Sequence, residues 1–489
     1  MKRLLSLALA LILALSAVSL IACGTKQPSV PDNTPAAPSE DGKNEPAAPS
    51  AEQTAAQLLA TFPTRDYGGE EFLVMAASNF EGRFPTEQFT NDDKINGSIV
   101  HDALFERDRM LEAHFGISIH YDDVLDSQMY GKTAASIQAG DDTYSLILGG
   151  LSGAGLSFMK NELLYDLNTI DTLDLSNTWW NKNSVETFTI NDICYMATGA
   201  ITNRSVYAPY AVLFNNRLLE ACMLDSPYEL VEDDEWTLEM LEFMILGTSY
   251  EINANDKMEP DDFYGMAPSS DSEFGLLFGL GCHLSEITDD GELIAVYEQE
   301  SNFDLISYLT DFYALEDVLY YKQTYDSSDA FEQGRAVFHA LPMIDITLID
   351  TEDTYGIVPM PKYSDDQEEY VSITNKFINT MALLPTSIRD NDKVGEIVEA
   401  LCAVSLYTSL DKQYETVMLN RQAQDAQSKK YLQMVVASSA YDWVYILNPA
   451  GLYDSIKSAI RNGGELASTF AAVRDQVDAE LESFMELYQ

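Results

Sequence analysis

Between Glu71 and Gly150 the chain alternates strand-like and helix-like segments, and this rhythm constrains the fold more than any other feature. Glu71-Phe72-Leu73-Val74-Met75 is an apolar run of strand length behind the turn Tyr67-Gly68-Gly69. In INGSIVHDALFERDRMLEAHFG, Val100, Leu104, Leu111 and Phe115 recur at helical spacing, with the aliphatic stem of Arg107 between them. Ser98 stands where a cap would start this helix and Gly116 where one would end it. Ile117 to Tyr121 alternates as a second strand, and Ala134 to Ala139 reads as helix. Tyr144 to Leu148 reads as a third strand running into Gly149-Gly150. Strands separated by helices imply a parallel sheet with crossover helices, an α/β fold. Ligands on such sheets sit beyond the carboxyl ends of the strands. Ser78 and Asn79, past the first strand, are therefore candidate ligand contacts. So are Gly149 and Gly150, where backbone could be approached closely.

A second α/β region starts near Ala200, with strands at Ala211–Phe214 and Tyr355–Pro359 and a helix opening at Trp236-Thr237. The chain closes on a helix whose stripe is Phe470, Val473, Val477, Leu481 and Phe484. No internal repeat is present.

The first residues carry a different message. Met1-Lys2-Arg3 precedes an apolar run from Leu4 to Ala22, the anatomy of a secretory signal, and about 20 apolar residues would also suit a membrane span. Leu20-Ile21-Ala22-Cys23 resembles the lipobox of bacterial lipoproteins. That resemblance implies a signal at 1–22, cleavage before Cys23, and acylation of Cys23 as the mature first residue. Two or three acyl chains make a stable anchor, at about 0.8 kcal/mol per buried methylene. The Pro-, Ala- and Ser-rich stretch that follows is too poor in large apolar residues to fold, so 23–65 reads as a flexible tether.

Net charge is −51, and loss of Lys2 and Arg3 leaves 26 basic against 79 acidic residues, or −53. Such a surface repels nucleic acid and anionic lipid headgroups. Cys194, Cys222, Cys282 and Cys402 are widely spaced, neither a zinc pattern nor a disulfide framework.

The motifs TGAITNRSVYAPYAVLFNNRLLEACML, EWTLEMLEFM, FEQGRAVFHALPM and YGIVPMPK follow one another in an order that resembles extracellular solute-binding proteins of ABC importers. The match is to the oligosaccharide-binding group that includes maltose-binding protein. The N-terminal NGSIVHDALFERDRMLEAHFGISI and DLSNTWWN resemble a subgroup of Gram-positive lipoproteins. This resemblance implies a two-lobed clamshell, with lobe one at 66–202 and 373–430 and lobe two at 203–372 and 431–489. It implies a monomer on the outer face of the cytoplasmic membrane, held there by its lipid alone. Its partners would be an oligosaccharide and the ABC permease subunits, with no nucleic acid and no required cofactor.

Sugar receptors place aromatic faces beside hydrogen-bonding side chains. Trp179-Trp180 is the densest aromatic cluster, and a ligand platform competes with packing under a loop. Trp443, Asn448 and Tyr453 near the C-terminus are further candidates. The resemblance adds Asn203, Arg204 and Tyr207 at the first hinge crossing, and Asp345 after the GRAVF strand.

EINANDKMEPDD has the ligand spacing of an EF-hand-like loop, with Glu251, Asn253, Asn255, Lys257 (through its carbonyl), Glu259 and Asp262 at the calcium positions. Asp256 replaces the Gly of the sharp turn, so a structural calcium site competes with an acidic surface turn.

Enzyme signatures are lacking. There are five His residues and no H-E-x-x-H, and Gly150-Leu151-Ser152-Gly153-Ala154 misses the G-x-S-x-G elbow by one residue. Gly279-Leu280-Gly281 lacks the third Gly of a dinucleotide fingerprint. A secreted glycoside hydrolase and a surface adhesin or sensor-associated binding protein remain the alternative readings.

Overall fold

A computed structural model describes residues 50–80, 84–85, 88–315, 318–320, 328–419 and 426–489. Cys23 and the apolar run before it lie outside the described residues. Among the described residues no helix is long and apolar enough to cross a membrane.

The fold has two α/β lobes, each built on a four-stranded sheet. The first sheet runs in the order Thr380–Leu383, Leu146–Gly150, Glu70–Ala76, Ile117–Asp123. Its last three strands are mutually parallel, as the strand–helix rhythm requires, while Thr380–Leu383 joins antiparallel from far along the chain. The second sheet is ordered Tyr355–Val358, Tyr210–Asn215, Ala336–Pro342, Tyr264–Met266. Residues 210–215 lie fully buried, as a strand covered on both faces must.

The helix Ile99–Phe115 buries Val100, Leu104, Leu111 and Phe115 and ends on Gly116 in the left-handed region at φ 61°. A β-carbon there would also strike the Asp66 backbone. Arg107 buries more than its stem. Its guanidinium donates to Asp108 at 2.8 Å and to the Tyr121 hydroxyl at 2.7 Å. The helix expected at 134–139 runs from Asp126 to Gln138, and the third strand extends through Gly150. In the terminal helix, Leu466–Met485, four of the five stripe residues are buried and Val473 is partly so.

Part of the expected tether is folded. Ala51–Leu59 forms a helix opened by a reciprocal capping box between Ser50 and Gln53, and Ala55 and Leu59 are buried. It packs on the helices Asn391–Leu406 and Ile99–Phe115 of the first lobe. The boundary drawn at 430 also falls inside a helix, Ala426–Ala437. That helix packs on Tyr355–Val358, with the Tyr431 ring stacked on Tyr228 at 4.7 Å.

Two features join the lobes near the site. Ser372–Ile373 pairs with Ser439–Ala440, and Asn375 N–H donates to the Ala208 carbonyl at 2.8 Å. The second crossing, 372–380, then enters the first sheet.

Candidate functional site

The crossing turn Asn375–Asn379 draws groups from both lobes together. On the first-lobe side, Ser152 N–H donates to the Lys376 carbonyl at 3.2 Å and Leu151 N–H to the Asn379 carbonyl at 2.8 Å. These amides lie just past the carboxyl end of the third strand, the ligand edge of a parallel sheet. On the second-lobe side, Asn375 Nδ2 donates to Tyr210 Oη at 2.9 Å and Lys376 Nζ to the Tyr445 carbonyl at 2.7 Å.

Lys376 is buried, with its ammonium over the rings of Tyr453, Tyr445 and Phe377 at 4.3, 4.9 and 5.2 Å. Burial lowers its pKa to about 8. Phe377 beside it is 48% exposed, an apolar face left open in an otherwise buried crossing. Tyr453 stacks on Phe274 at 4.3 Å and donates its hydroxyl to Asp271 Oδ1 at 2.5 Å. The same carboxylate oxygen accepts the Lys457 ammonium.

Asp271 caps the helix Ser272–Gly279 from φ 66°, a conformation that a non-glycine residue holds only when its surroundings enforce it. Beneath it, buried Glu273 is ion-paired with Arg461. Burial raises the Glu273 carboxyl to about 8 and lowers Arg461 to about 10. The arrangement offers an open ring face rimmed by a carboxylate, an ammonium and a phenol. Such a set of groups suits binding of a polyhydroxylated molecule.

Of the residues singled out from the sequence, Tyr453 belongs to this cluster. Gly149 and Gly150 pair with Met381 and Thr380 next to it. Their small size serves the chain itself. Gly150 N–H donates to Asp126 Oδ1 at 2.5 Å, and a β-carbon at Gly150 would meet that carboxyl group at 2.9 Å. Ser78 donates to Asp123 at 2.6 Å past the first strand, and the Asn79 side chain lies outside the described residues. Asn203, Arg204 and Tyr207 are buried in the first crossing. Arg204 donates to the Ala77 carbonyl at 3.0 Å, and Gln413 donates to the Tyr207 hydroxyl at 2.5 Å. Asp345 is partly buried in the turn after Ala336–Pro342.

Trp179 and Trp180 form no open platform. Their indole N–H groups both donate at 2.8 Å to the carboxylate of Glu399, which Asn177 also reaches at 2.8 Å, and Trp180 is 4% exposed. Trp443 is buried with its indole N–H on the Thr187 carbonyl at 2.8 Å. Asn448 accepts the Tyr453 N–H at 2.8 Å and so orients the helix that carries that ring. Lys376, Phe377, Asp271 and Lys457 were missed. The only trace of them in the sequence is a polar TNKFINT within a crossing strand and a Ser-Ser-Asp ahead of an apolar helix.

In this structure the EF-hand-like spacing does not gather its carboxylates around one point. Both Asp262 oxygens accept backbone N–H groups, from Ile252 at 2.9 Å and Glu259 at 2.6 Å. Asn253 and Asn255 donate to Glu259, and Glu251 accepts the Asn255 and Asp256 amides. Among the described residues no three His, Cys, Asp or Glu side chains converge on a metal position. The carboxylates of Glu251 and Asp262 accept the loop's own backbone amides, and that of Glu259 accepts Asn253 and Asn255, an arrangement that favours the acidic surface turn over the metal site. A groove of about 690 Å³ between Asp290–Ala295 and the last helix is also a poor sugar site, since neither an aromatic ring nor a cation lines it.

No family model matches the chain, and no curated protein matches it. Solved structures do. UspC of M. tuberculosis is 12% identical, with 84% of this chain and 99% of that one covered at a TM-score of 0.56. The cyclic alpha-maltosyl-1,6-maltose binding protein of Arthrobacter globiformis is 15% identical, with 85% and 99% covered at 0.55. The ABC substrate-binding protein Lmo0181 of Listeria monocytogenes, solved with cycloalternan, is 12% identical, with 85% and 99% covered at 0.52. The class is therefore the two-lobed α/β fold of the ABC solute-binding proteins. Within that class the chain has the fold of structures that include oligosaccharide binders.

Proposed function

We propose that this protein captures an oligosaccharide outside the membrane and delivers it to the permease of an ABC importer, without chemical change. The observation that carries the reading is Phe377. It is a half-exposed ring on the crossing between the lobes, 6.5 Å from the ring of Tyr453, whose hydroxyl meets the Asp271–Lys457 pair, in a fold whose solved examples include maltodextrin and cycloalternan binders. A pyranose lays its apolar face on such a ring while its hydroxyls meet the polar rim. Hinge closure over the sugar would give the permease a loaded form to recognise. Anchoring through acylated Cys23 belongs to the same reading, since solute released by the protein must be kept near its transporter.

The test is a thermal-shift screen of the full-length chain against neutral oligosaccharides and peptides, followed by titration calorimetry on the hits. A sugar hit weakened at least about tenfold by Phe377→Ala supports the reading. Stabilisation by a peptide and by no sugar refutes it.

A further inference from the structure

We infer that the site selects a ligand carrying an acidic group, such as a uronic acid residue, and that Lys376 is the side chain that reads it. The inference rests on the oligosaccharide reading above and narrows it to acidic sugars.

The argument is one of charge balance in this corner of the molecule. Lys457 is matched by Asp271, and Arg461 lies against Glu273, whose carboxyl burial pushes up to about 8. Asp454, on the same helix as Lys457, is exposed and solvated. The phenols of Tyr210, Tyr445 and Tyr453 are held neutral by burial. Lys376 is left as a 3% exposed ammonium whose one hydrogen-bonding partner is the Tyr445 carbonyl, with ring faces on its other sides.

A buried ammonium is costly without a counter-charge, and three ring faces compensate it only in part. Asp454 and Asp271 act on Lys376 through space, but neither carboxylate touches it, and in a chain of net charge −51 a buried ammonium with no carboxylate in contact is conspicuous beside a binding surface. Of the three rings around the ammonium, Phe377 is the half-exposed one. A sugar seated on Phe377 brings its substituents to that side, and a carboxylate among them would supply the missing counter-charge. The same carboxylate would favour protonated Lys376, so the interaction weakens as the pH rises through about 8.

The experiment compares trigalacturonate with its methyl ester, which keeps the ring stereochemistry and removes the charge. Titration calorimetry on the full-length chain is run at about 0.15 M salt, where long-range repulsion from the acidic surface is screened. The free acid is expected to bind at least about tenfold more tightly than the ester, with the preference fading above about pH 8. Lys376→Met should abolish the preference and Lys376→Arg should retain it, which separates charge recognition from a folding defect. Equal affinity for acid and ester, or a preference that survives Lys376→Met, overturns the inference. If neutral glycans bind as well as acidic ones, only the charge selectivity falls. Failure of every glycan, neutral or acidic, overturns the oligosaccharide reading with it.

Discussion

Replacing Glu399 by Ala tests whether the tandem Trp179-Trp180 is a structural staple. Glu399 is 3% exposed and accepts three hydrogen bonds of 2.8 Å, two from indoles and one from Asn177. A hydrogen bond to a charged group contributes about 1.5–3 kcal/mol, and a buried donor left unpaired costs about 1–3 kcal/mol. Asn177 and Trp179 are partly exposed and can turn to water, whereas Trp180 cannot. Loss of one fully buried charge-assisted bond and partial loss of two others gives an expected destabilisation of about 3–5 kcal/mol.

Glu399→Gln should behave differently. Burial pushes the Glu399 carboxyl upward against the pull of its three donors, so removing the charge relieves part of a desolvation cost. The amide oxygen can still accept Asn177 and Trp179, which share Oε1, but the amide nitrogen then faces the Trp180 N–H, and the expected loss is about 2 kcal/mol. A raised folded-state pKa also means that wild-type stability declines as the pH rises through it, a slope the Gln variant lacks. Urea unfolding followed by indole fluorescence reads both variants directly, because two of the four tryptophans sit on the carboxylate. An Ala variant within about 0.5 kcal/mol of wild type, or a Gln variant as damaged as Ala, would refute the reasoning.

Two further outcomes are expected. Asp262→Ala should lower the melting temperature by an amount that is the same with and without millimolar calcium, since it removes the acceptor of two loop amides and no metal ligand; a calcium-dependent difference in a melting scan would restore the metal reading. Cys23→Ala should yield a chain that escapes lipoprotein processing and takes up no palmitate analogue, and continued labelling in gel fluorography would remove the proposed anchor.

The first lobe was legible because its signals are local. The stripe of Val100, Leu104, Leu111 and Phe115 needs only helical spacing, and the run 71–75 needs only length and composition. The strand that completes the first sheet from afar has no such signature: Thr380–Leu383 pairs antiparallel with Leu146–Gly150 across some 230 positions. The site was less legible for the same reason. The acceptor that claims both tryptophans lies some 220 positions away, and nothing near Trp179 announces it. Phe377 is one apolar residue in a polar crossing, and its exposure depends on what both lobes leave uncovered. In the acidic loop the spacing matched a calcium site, but spacing does not say whether a carboxylate turns toward an ion or toward its own backbone.

The short helix Ala51–Leu59 decides which half of the molecule stays put. It is seated on the first lobe, so the anchor proposed at Cys23 would act on that lobe. With the first lobe held in this way, any opening and closing would be an excursion of the second.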